Sequence, residues 1–541
     1  MVYFYGRMRV ATDQHSYRET GMFSNLILDY LADCPELRSL HLGLPSMERI
    51  GEAIQRRKQV QTDRSKLVEA LRRQYATVKV DAKSQVQIDS LESENTFTVT
   101  TAHQCNLFLG PTYTIFKILH TIKMADAINA AYPEIHVVPV FYMGSEDADL
   151  AELNHANVLG ERMEWKTAQT GAVGRMQVDD SLIELIDQQQ RILGSFPFGP
   201  QWIEQLRTAY QPGKTIAEST FQLLHGLFAD RGLLILQADE ASLKSSMQAI
   251  FLDELTQSSA AGLVAETDRL LQQNGYKNQA HPRPINLFYL QPGSRERIEK
   301  NGSFWQVSNS SVQWDESSLR AEWAAHPERF SPNVILRGIY QETILPNLVY
   351  IGGGGELAYW LQLRSVFDYH QVPFPLLQLR ASFQWLDASM GSKMKDLQLK
   401  PSDLFKTTDQ LLDERLDAAV LELLNIESSI QEVAVVYENL RMKAKAIDPT
   451  LEQHVQALAT RSLQRIEELQ KKMKRAERRK YATRRIQIDS LKLNVFPGGG
   501  LQERYENLAT YYVTQGTSYF DRIYEALNVW DNKFTWLQES D

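Results

Sequence analysis

Phe97-Thr98-Val99-Thr100-Thr101, followed by Ala102-His103-Gln104-Cys105-Asn106-Leu107-Phe108-Leu109-Gly110-Pro111, is the stretch on which the reading of the chain turns. The first five residues are β-branched or aromatic and predict a short strand, which His103 to Pro111 breaks. From Thr112 onward, Ile115, Leu119, Ile122 and Ala125 fall at helical spacing and share one face. A second apolar run, Val137 to Met143, leads to Glu146, Asp147 and Asp149. Strand, loop, helix and strand make a βαβ unit with parallel strands. In open α/β sheets ligands bind beyond the carboxyl ends of strands, so the 103–117 loop and the acidic cluster both fall where a ligand sits.

Outward from this unit, helices and strands keep alternating. Residues 14–80 read as helical, as do 180–192, 218–228 and 241–275. Gly232 to Leu236 and Ile285 to Leu290 read as strands, the second followed by a basic stretch with Arg295, Arg297 and Lys300. Leu345 to Ile351 forms another strand, running into Gly352-Gly353-Gly354-Gly355-Glu356 and then a helix from Leu357 to Tyr369. Such alternation predicts an α/β fold with parallel strands. The composition changes near Pro401. Leu416, Ala419, Leu423, Ile426, Ile430, Val433, Tyr437 and Leu440 make a heptad seam. After Asp448-Pro449 a second seam reads Val455, Ala459, Ser462, Ile466, Leu469, Met473 and Ala476. The short turn between them predicts an antiparallel α-helical coiled-coil arm, a surface suited to a second copy of the chain. Phe496-Pro497-Gly498-Gly499-Gly500 is a turn, and Leu501 onward reads as a helix carrying Gln502, Glu503, Arg504 and Asn507. The organisation is a core over 1–400, an arm over 401–495, and a segment over 496–541 that returns to the core.

With 541 residues the chain exceeds what one hydrophobic core organises. Its 43% hydrophobic and 23% charged residues place it among ordinary globular proteins. A net charge of -9 argues against a nucleic-acid partner. The basic run Lys471 to Lys480 reads as the solvated face of the coiled coil. Two cysteines, Cys34 and Cys105, support neither a disulfide framework nor a structural zinc site, which fits a reducing cytoplasm. Met1 to Tyr5 lacks a signal pattern, and no apolar run reaches the roughly 18 residues that span a bilayer.

Several constellations carry chemistry. Gly110-Pro111 before a helix can hold a phosphate, although it is also ordinary punctuation, which the residues alone favour. Lys117 weighs the other way, because its ammonium could reach the same phosphate. The Gly352–Gly355 run matches neither a dinucleotide fingerprint nor a P-loop, yet four glycines exceed what a turn needs and point to a ligand. Glu146, Asp147 and Asp149 could hold magnesium or an amine, or form a solvated loop. His103 with Cys105 suggests a nucleophile and base, but Cys105 in an apolar loop reads as packing.

Thr100-Thr101-Ala102-His103-Gln104, with Leu107-Phe108, Gly110-Pro111, Tyr113-Thr114 and Lys117, resembles the signature loop of the bacillithiol biosynthesis cysteine-adding enzyme family. Further blocks resemble it in order: Val138 to Phe141 with Glu146-Asp147, Asp149 and Asn154-His155; Gly174-Arg175-Met176; Ile285 to Tyr289 with Arg295 to Glu299; Arg329 to Val334 with Leu336-Arg337 and Gln341-Glu342; Gly352-Gly353 through Trp360; and Leu501 to Arg504 with Asn507 and Gly516. The chain departs from the family pattern at Ala102 and His103, where glycine and glutamine are usual, and at Gly338 and Gly354, where proline is usual. Gln378-Leu379 also replaces the usual approach to Arg380.

The resemblance implies a Rossmann-like core with connecting-peptide insertions and a coiled-coil arm that mediates homodimerisation. It implies a ligase that adds L-cysteine to the amine of glucosaminyl-malate, through ATP activation by analogy with adenylating enzymes. ATP or ADP is the expected nucleotide, magnesium a compatible ion, and haem, flavin and structural zinc are not expected. The catalytic candidates are Lys117, Glu146, Asp147 and Asp149. Substrate-binding candidates are His103, Gln104, Gly110, Tyr113, Thr114 and Asn154 from the first half, and Gly353, Gly355, Glu356, Tyr359 and Arg380 from the second. Arg504 and Asn507 are candidates for a separate nucleotide contact. Two other readings stay open: a nucleotidyltransferase-like enzyme with a different amine acceptor, and a non-enzymatic coiled-coil scaffold.

Overall fold

The computed structural model describes residues 10–415 and 418–539, so the expectations placed on Met1–Tyr5 and on Leu416 lie outside the described residues. The chain forms two compact units, one holding residues 10–385 and Gly500–Leu537, the other Leu386–Gly499. The division after Trp385 comes earlier than the boundary at 400 read from composition.

The first unit is built on five parallel strands: β1 (Thr96–Gln104), β2 (His136–Gly144), β3 (Leu234–Gln237), β4 (Asn347–Gly352) and β5 (Leu376–Leu379). Their order is β5-β4-β1-β2-β3. The chain therefore builds outward from β1 on one side, then crosses back to lay β4 and β5 on the other. The order reverses between β1 and β4, which is where a crevice opens in sheets of this kind.

β1 runs further than its sequence suggests. His103 pairs with Met143 and Gln104 with Gly144, so these two residues end the strand rather than open the loop. Threonines suit this buried strand because the hydroxyls of Thr98, Thr100 and Thr101 each find a partner. Those of Thr98 and Thr100 reach the Asn347 side-chain oxygen at 3.2 and 2.9 Å, and that of Thr101 donates to Ile351 O at 2.7 Å. The crossover helix α1 (Tyr113–Ala131) buries Ile115, Leu119, Ile122 and Ala125 as the spacing predicts.

Two insertions interrupt the sheet. Between β2 and β3 lie helices Asp180–Leu193, Gly199–Ala209 and Ile216–Phe228. Between β3 and β4 the expected 241–275 helix is instead broken, with Ser258 in a left-handed conformation (φ 55°) between Gln248–Gln257 and Ser259–Gln273. The basic stretch that follows is itself a strand, Ser294–Asn301, inside a five-stranded antiparallel sheet. Parallel pairing thus describes the central sheet only. Before β4 stands α2 (Val334–Ile344); after it α3 (Gly354–Gln362) begins within the glycine run and ends before Arg364–His370, so the 357–369 helix is two. The region read as helical from residue 14 opens with a strand, Val10–Ser16. The helix expected from Leu501 is a single 3-10 turn, Gln502–Arg504, and regular helix starts only at Ala509.

In the second unit, α4 (Glu427–Ile447) and α5 (Leu451–Arg478) form the predicted antiparallel hairpin. Tyr437 meets Ser462 at 2.7 Å, Arg441 pairs with Glu452, and Gln470 donates to Leu424 O at 2.9 Å, so one number falls as the other rises. Ile426, Ile430, Val433 and Tyr437 are half-buried, as are Val455, Ala459, Ser462, Ile466 and Met473. The seam departs from its expectation at Leu440 and Leu469, which are 47% and 54% exposed, and at exposed Leu423 and Ala476. Straight helices drift against a strict heptad, which turns such positions outward.

Candidate active site

A cavity of about 410 Å³ lies at the carboxyl ends of β1, β2 and β4, beside the reversal of strand order. β1 contributes Ala102, His103 and Gln104; the end of β2 contributes Gly144 and the segment after it Asp147. The turn into α3 supplies Gly353, Gly354, Gly355 and Glu356, with Tyr359 one turn later. Tyr113 and Lys117 come from α1, Asn333 and Arg337 from the start of α2, and Arg380 and Arg504 complete the wall.

Two ion pairs shape its charge. Lys117, 1% exposed, pairs with Glu356 and donates to Ala102 O at 2.9 Å. Glu356 also accepts from Tyr350 OH at 2.7 Å and Gly353 N–H at 2.8 Å. Burial pushes the Glu356 carboxyl up, but Lys117 and these hydrogen bonds outweigh it and hold it down to about 2. Burial pulls the Lys117 ammonium below its usual range against the attraction of Glu356. The contact with Glu356 keeps both charges in place. The second pair joins buried Arg380 to buried Glu503 at 2.7 and 3.0 Å, and Arg380 lies over the Tyr113 ring. Burial, together with repulsion by Lys117, holds the His103 imidazole down to about 3, so it is neutral at physiological pH. Its ring meets Tyr113 edge-on at 5.2 Å.

The glycine turn is open to the cavity. Gly353 has an ordinary φ of -75°, and a Cβ there would first meet Glu356 Oε2 at 3.4 Å and Arg380 Nε at 3.8 Å. A Cβ on Gly355 would meet only Gln279 at 3.9 Å. As the first residues of α3, Gly354 and Gly355 have no protein partner for their amides among the described residues. Free amides at a helix N-terminus beside an arginine form a receptor for an anion.

The description "Bacillithiol biosynthesis BshC, N-terminal Rossmann-like domain" matches residues 10–381, and "Bacillithiol biosynthesis BshC, C-terminal coiled-coil domain" matches residues 383–539. The chain belongs to the BshC family. A relative from Cytophaga hutchinsonii is 35% identical over 511 residues, covering 94% of this chain and 96% of the relative. One from Flavobacterium psychrophilum is 35% identical over 521 residues, 96% of this chain and 97% of its own. One from Salinibacter ruber is 28% identical, with 94% and 95% covered. All three carry the name "Putative cysteine ligase BshC".

In this BshC-family cavity, His103, Gln104, Tyr113, Lys117, Asp147, Gly353, Gly355, Glu356, Tyr359, Arg380 and Arg504 come together from distant parts of the sequence. Others do not. Gly110 needs its positive φ of 64°, and a Cβ there would strike Asn106 at 2.7 Å. Its amide donates to Leu107 O at 2.9 Å and its carbonyl accepts from Asn507 Nδ2 at 2.7 Å, so both of its backbone groups already have protein partners. Asn507 is fully buried by that role, donating also to Phe108 O at 2.9 Å, and does not line the cavity. Thr114 is buried outside the cavity, and Asn154 binds Trp165 O. The acidic cluster fans apart: Glu146 is buried against Lys244, Asp149 is exposed ahead of helix Leu150–Leu153, and Asp147 alone reaches the cavity, accepting from Gln104 at 2.7 Å. Among the described residues no three histidine, cysteine or acidic side chains converge on one point, so these three carboxylates do not build a metal cage. Burial pushes the Cys105 thiol up to about 12, in keeping with packing. Arg337 and Asn333 are cavity residues the sequence reading gave no role; their signal was a position at the opening of a helix after a short strand, Phe330–Pro332. Among the described residues no helix is long and apolar enough to cross a membrane.

Proposed function

We propose that the chain is a cytoplasmic ligase that joins L-cysteine, through its carboxyl group, to the amine of glucosaminyl-malate. The observation that carries this reading is the cavity at the strand reversal, where fixed cations, the free amides of α3 and the Asp147 carboxylate, itself shared with Gln104 and Arg295, face one space in a chain whose relatives are named cysteine ligases. A carboxylate is a poor acyl donor, and ATP supplies the activation. A cysteine carboxylate oxygen bonds to the α-phosphorus and pyrophosphate leaves. The acceptor nitrogen then bonds to the acyl carbon, the carbon–oxygen bond breaks, AMP leaves with the electron pair, and the nitrogen loses a proton.

Arg380 Nε and the Gly354 and Gly355 amides offer preorganised donors for the phosphate charge that develops in these steps. Asp147 is placed to receive an ammonium group. Magnesium fits this donor set only as the nucleotide's own ion, which keeps waters and phosphate oxygens and takes at most the Asp147 carboxylate from the protein. A different amine acceptor remains the second reading, favoured by His103 standing on the cavity wall where the family pattern has glutamine. The apolar positions of the arm left exposed in one chain support a homodimer formed through it.

Cysteine labelled with 18O in its carboxyl group tests the route. Label found in AMP supports adenylation; label found in inorganic phosphate replaces the adenylate with an acyl phosphate; no label in either refutes activation by ATP.

A further inference from the structure

The cations of the cavity differ in what balances them. Lys117 is paired with Glu356, Arg380 with Glu503, and Arg504 is exposed to solvent. Arg337, in the first turn of α2, has no carboxylate partner among the described residues. Its guanidinium rests on aromatic groups instead. Nη2 donates to Tyr359 OH and lies 3.5 Å from Tyr350 OH, and the central carbon sits 5.7 Å from the Tyr142 ring centre. The nearest anion, Glu356, is already held by Lys117 and Gly353. Nε and Nη1 make no hydrogen bond to the described residues, and the residue lines the cavity. A guanidinium held at Nη2 by tyrosines, with Nε and Nη1 left unpaired, keeps charged N–H donors for an anion such as a carboxylate.

We propose that Arg337 binds a carboxylate of the malate portion of the acceptor and sets the preference for an acceptor that carries one. This rests on the ligase reading above. Chemistry decides between the carboxylates available. That of cysteine is consumed in the reaction, and a fixed cation paired with it would stabilise the ground state against activation. The malate carboxylates pass unchanged from substrate to product, so a permanent partner costs the reaction nothing. A nucleotide phosphate is the other anion these donors could take, and the test separates the two.

The test compares two acceptors on the full chain, glucosaminyl-malate and methyl glucosaminide, which has the amine but no carboxylate. The wild type should favour the first. Arg337→Gln should lower the ratio of the two kcat/KM values by about 10- to 100-fold, the loss of a hydrogen bond to a charged group, and leave KM for ATP and cysteine within about twofold. Calorimetry with glucosaminyl-malate alone should show the same loss of affinity. Arg337→Lys keeps the charge without the guanidinium and should fall between; if Arg337→Gln loses its thermal transition, the lysine variant decides by the same ratio. An unchanged ratio, or a loss that appears in KM for ATP, overturns the assignment. A wild type that joins cysteine to both acceptors equally leaves the ligase reading standing and removes this role from Arg337. A wild type that forms amide with neither removes the ligase reading, and this inference with it.

Discussion

Replacing Lys117 with methionine is the perturbation whose outcome the structure changes most. An exposed lysine at this position would be silent for stability, because surface charges contribute little. The structure buries it against Glu356. Lys117→Met keeps the apolar stem and leaves the carboxylate with Gly353 N–H and Tyr350 OH as its remaining partners. Removing one member of a buried pair costs about 3–5 kcal/mol. The carboxyl gives a consistent figure: a fall from 4.5 to about 2 corresponds to about 3 kcal/mol. The sign follows from linkage. A carboxyl depressed in the folded state contributes stability that is fully present above pH 4.5 and is lost as pH falls through about 2. Urea unfolding at pH 7 should therefore show Lys117→Met destabilised by that amount, with a flatter acid limb than wild type. Glu356→Gln added to it should recover at least half of the loss, since a neutral pair replaces an orphaned charge. A single variant with the wild-type midpoint at pH 7 would refute the buried pair.

Gly353→Val should abolish ligand binding at a cost below about 1 kcal/mol, because φ is ordinary and the new methyls project into the cavity; calorimetry beside thermal unfolding checks both. Asp147→Asn should reduce amide formation at least tenfold while Asp149→Asn leaves it unchanged, a contrast that steady-state rates measure directly. Leu440→Glu combined with Leu469→Glu should convert a dimer to a monomer in light scattering without melting the hairpin, whose inner contacts the changes do not touch. Burial pushes the Glu342 carboxyl up to about 7 against the opposing pull of Arg57. The folded state then binds the extra proton, so stability should fall by about 3 kcal/mol as pH rises from 4.5 through 7, and Glu342→Gln should remove that slope in urea titrations.

The βαβ unit was legible because β1, β2 and α1 are buried elements whose side chains repeat at their own periods. The antiparallel sheet was not. In Ser294–Asn301 only Ile298 is buried, and a strand whose residues are mostly charged carries too little apolar signal. Ser258 breaks a helix through its backbone angle alone, with no glycine or proline to announce it. The turn at 502–507 is fixed by bonds from Asn507 to Phe108 O and Gly110 O, partners about four hundred positions away that local propensity cannot see. In the site, the glycine run was legible because its composition exceeds what a turn requires. The acidic cluster was not, because neighbouring residues leaving a strand point in different directions: Glu146 to Lys244, Asp147 to the cavity, Asp149 to water. Arg337 escaped notice because an arginine's value lies in what fails to pair with it, which spacing does not reveal.

The most direct test of the account is product formation by the purified full chain with L-cysteine, ATP and glucosaminyl-malate, followed by mass spectrometry with thiol labelling. The account predicts one new species joining cysteine to the glucosamine nitrogen through an amide, formed only when ATP is present and accompanied by one nucleotide consumed per product. Absence of that amide under conditions where the chain binds both cysteine and ATP, or its formation on a different amine in preference, would contradict it.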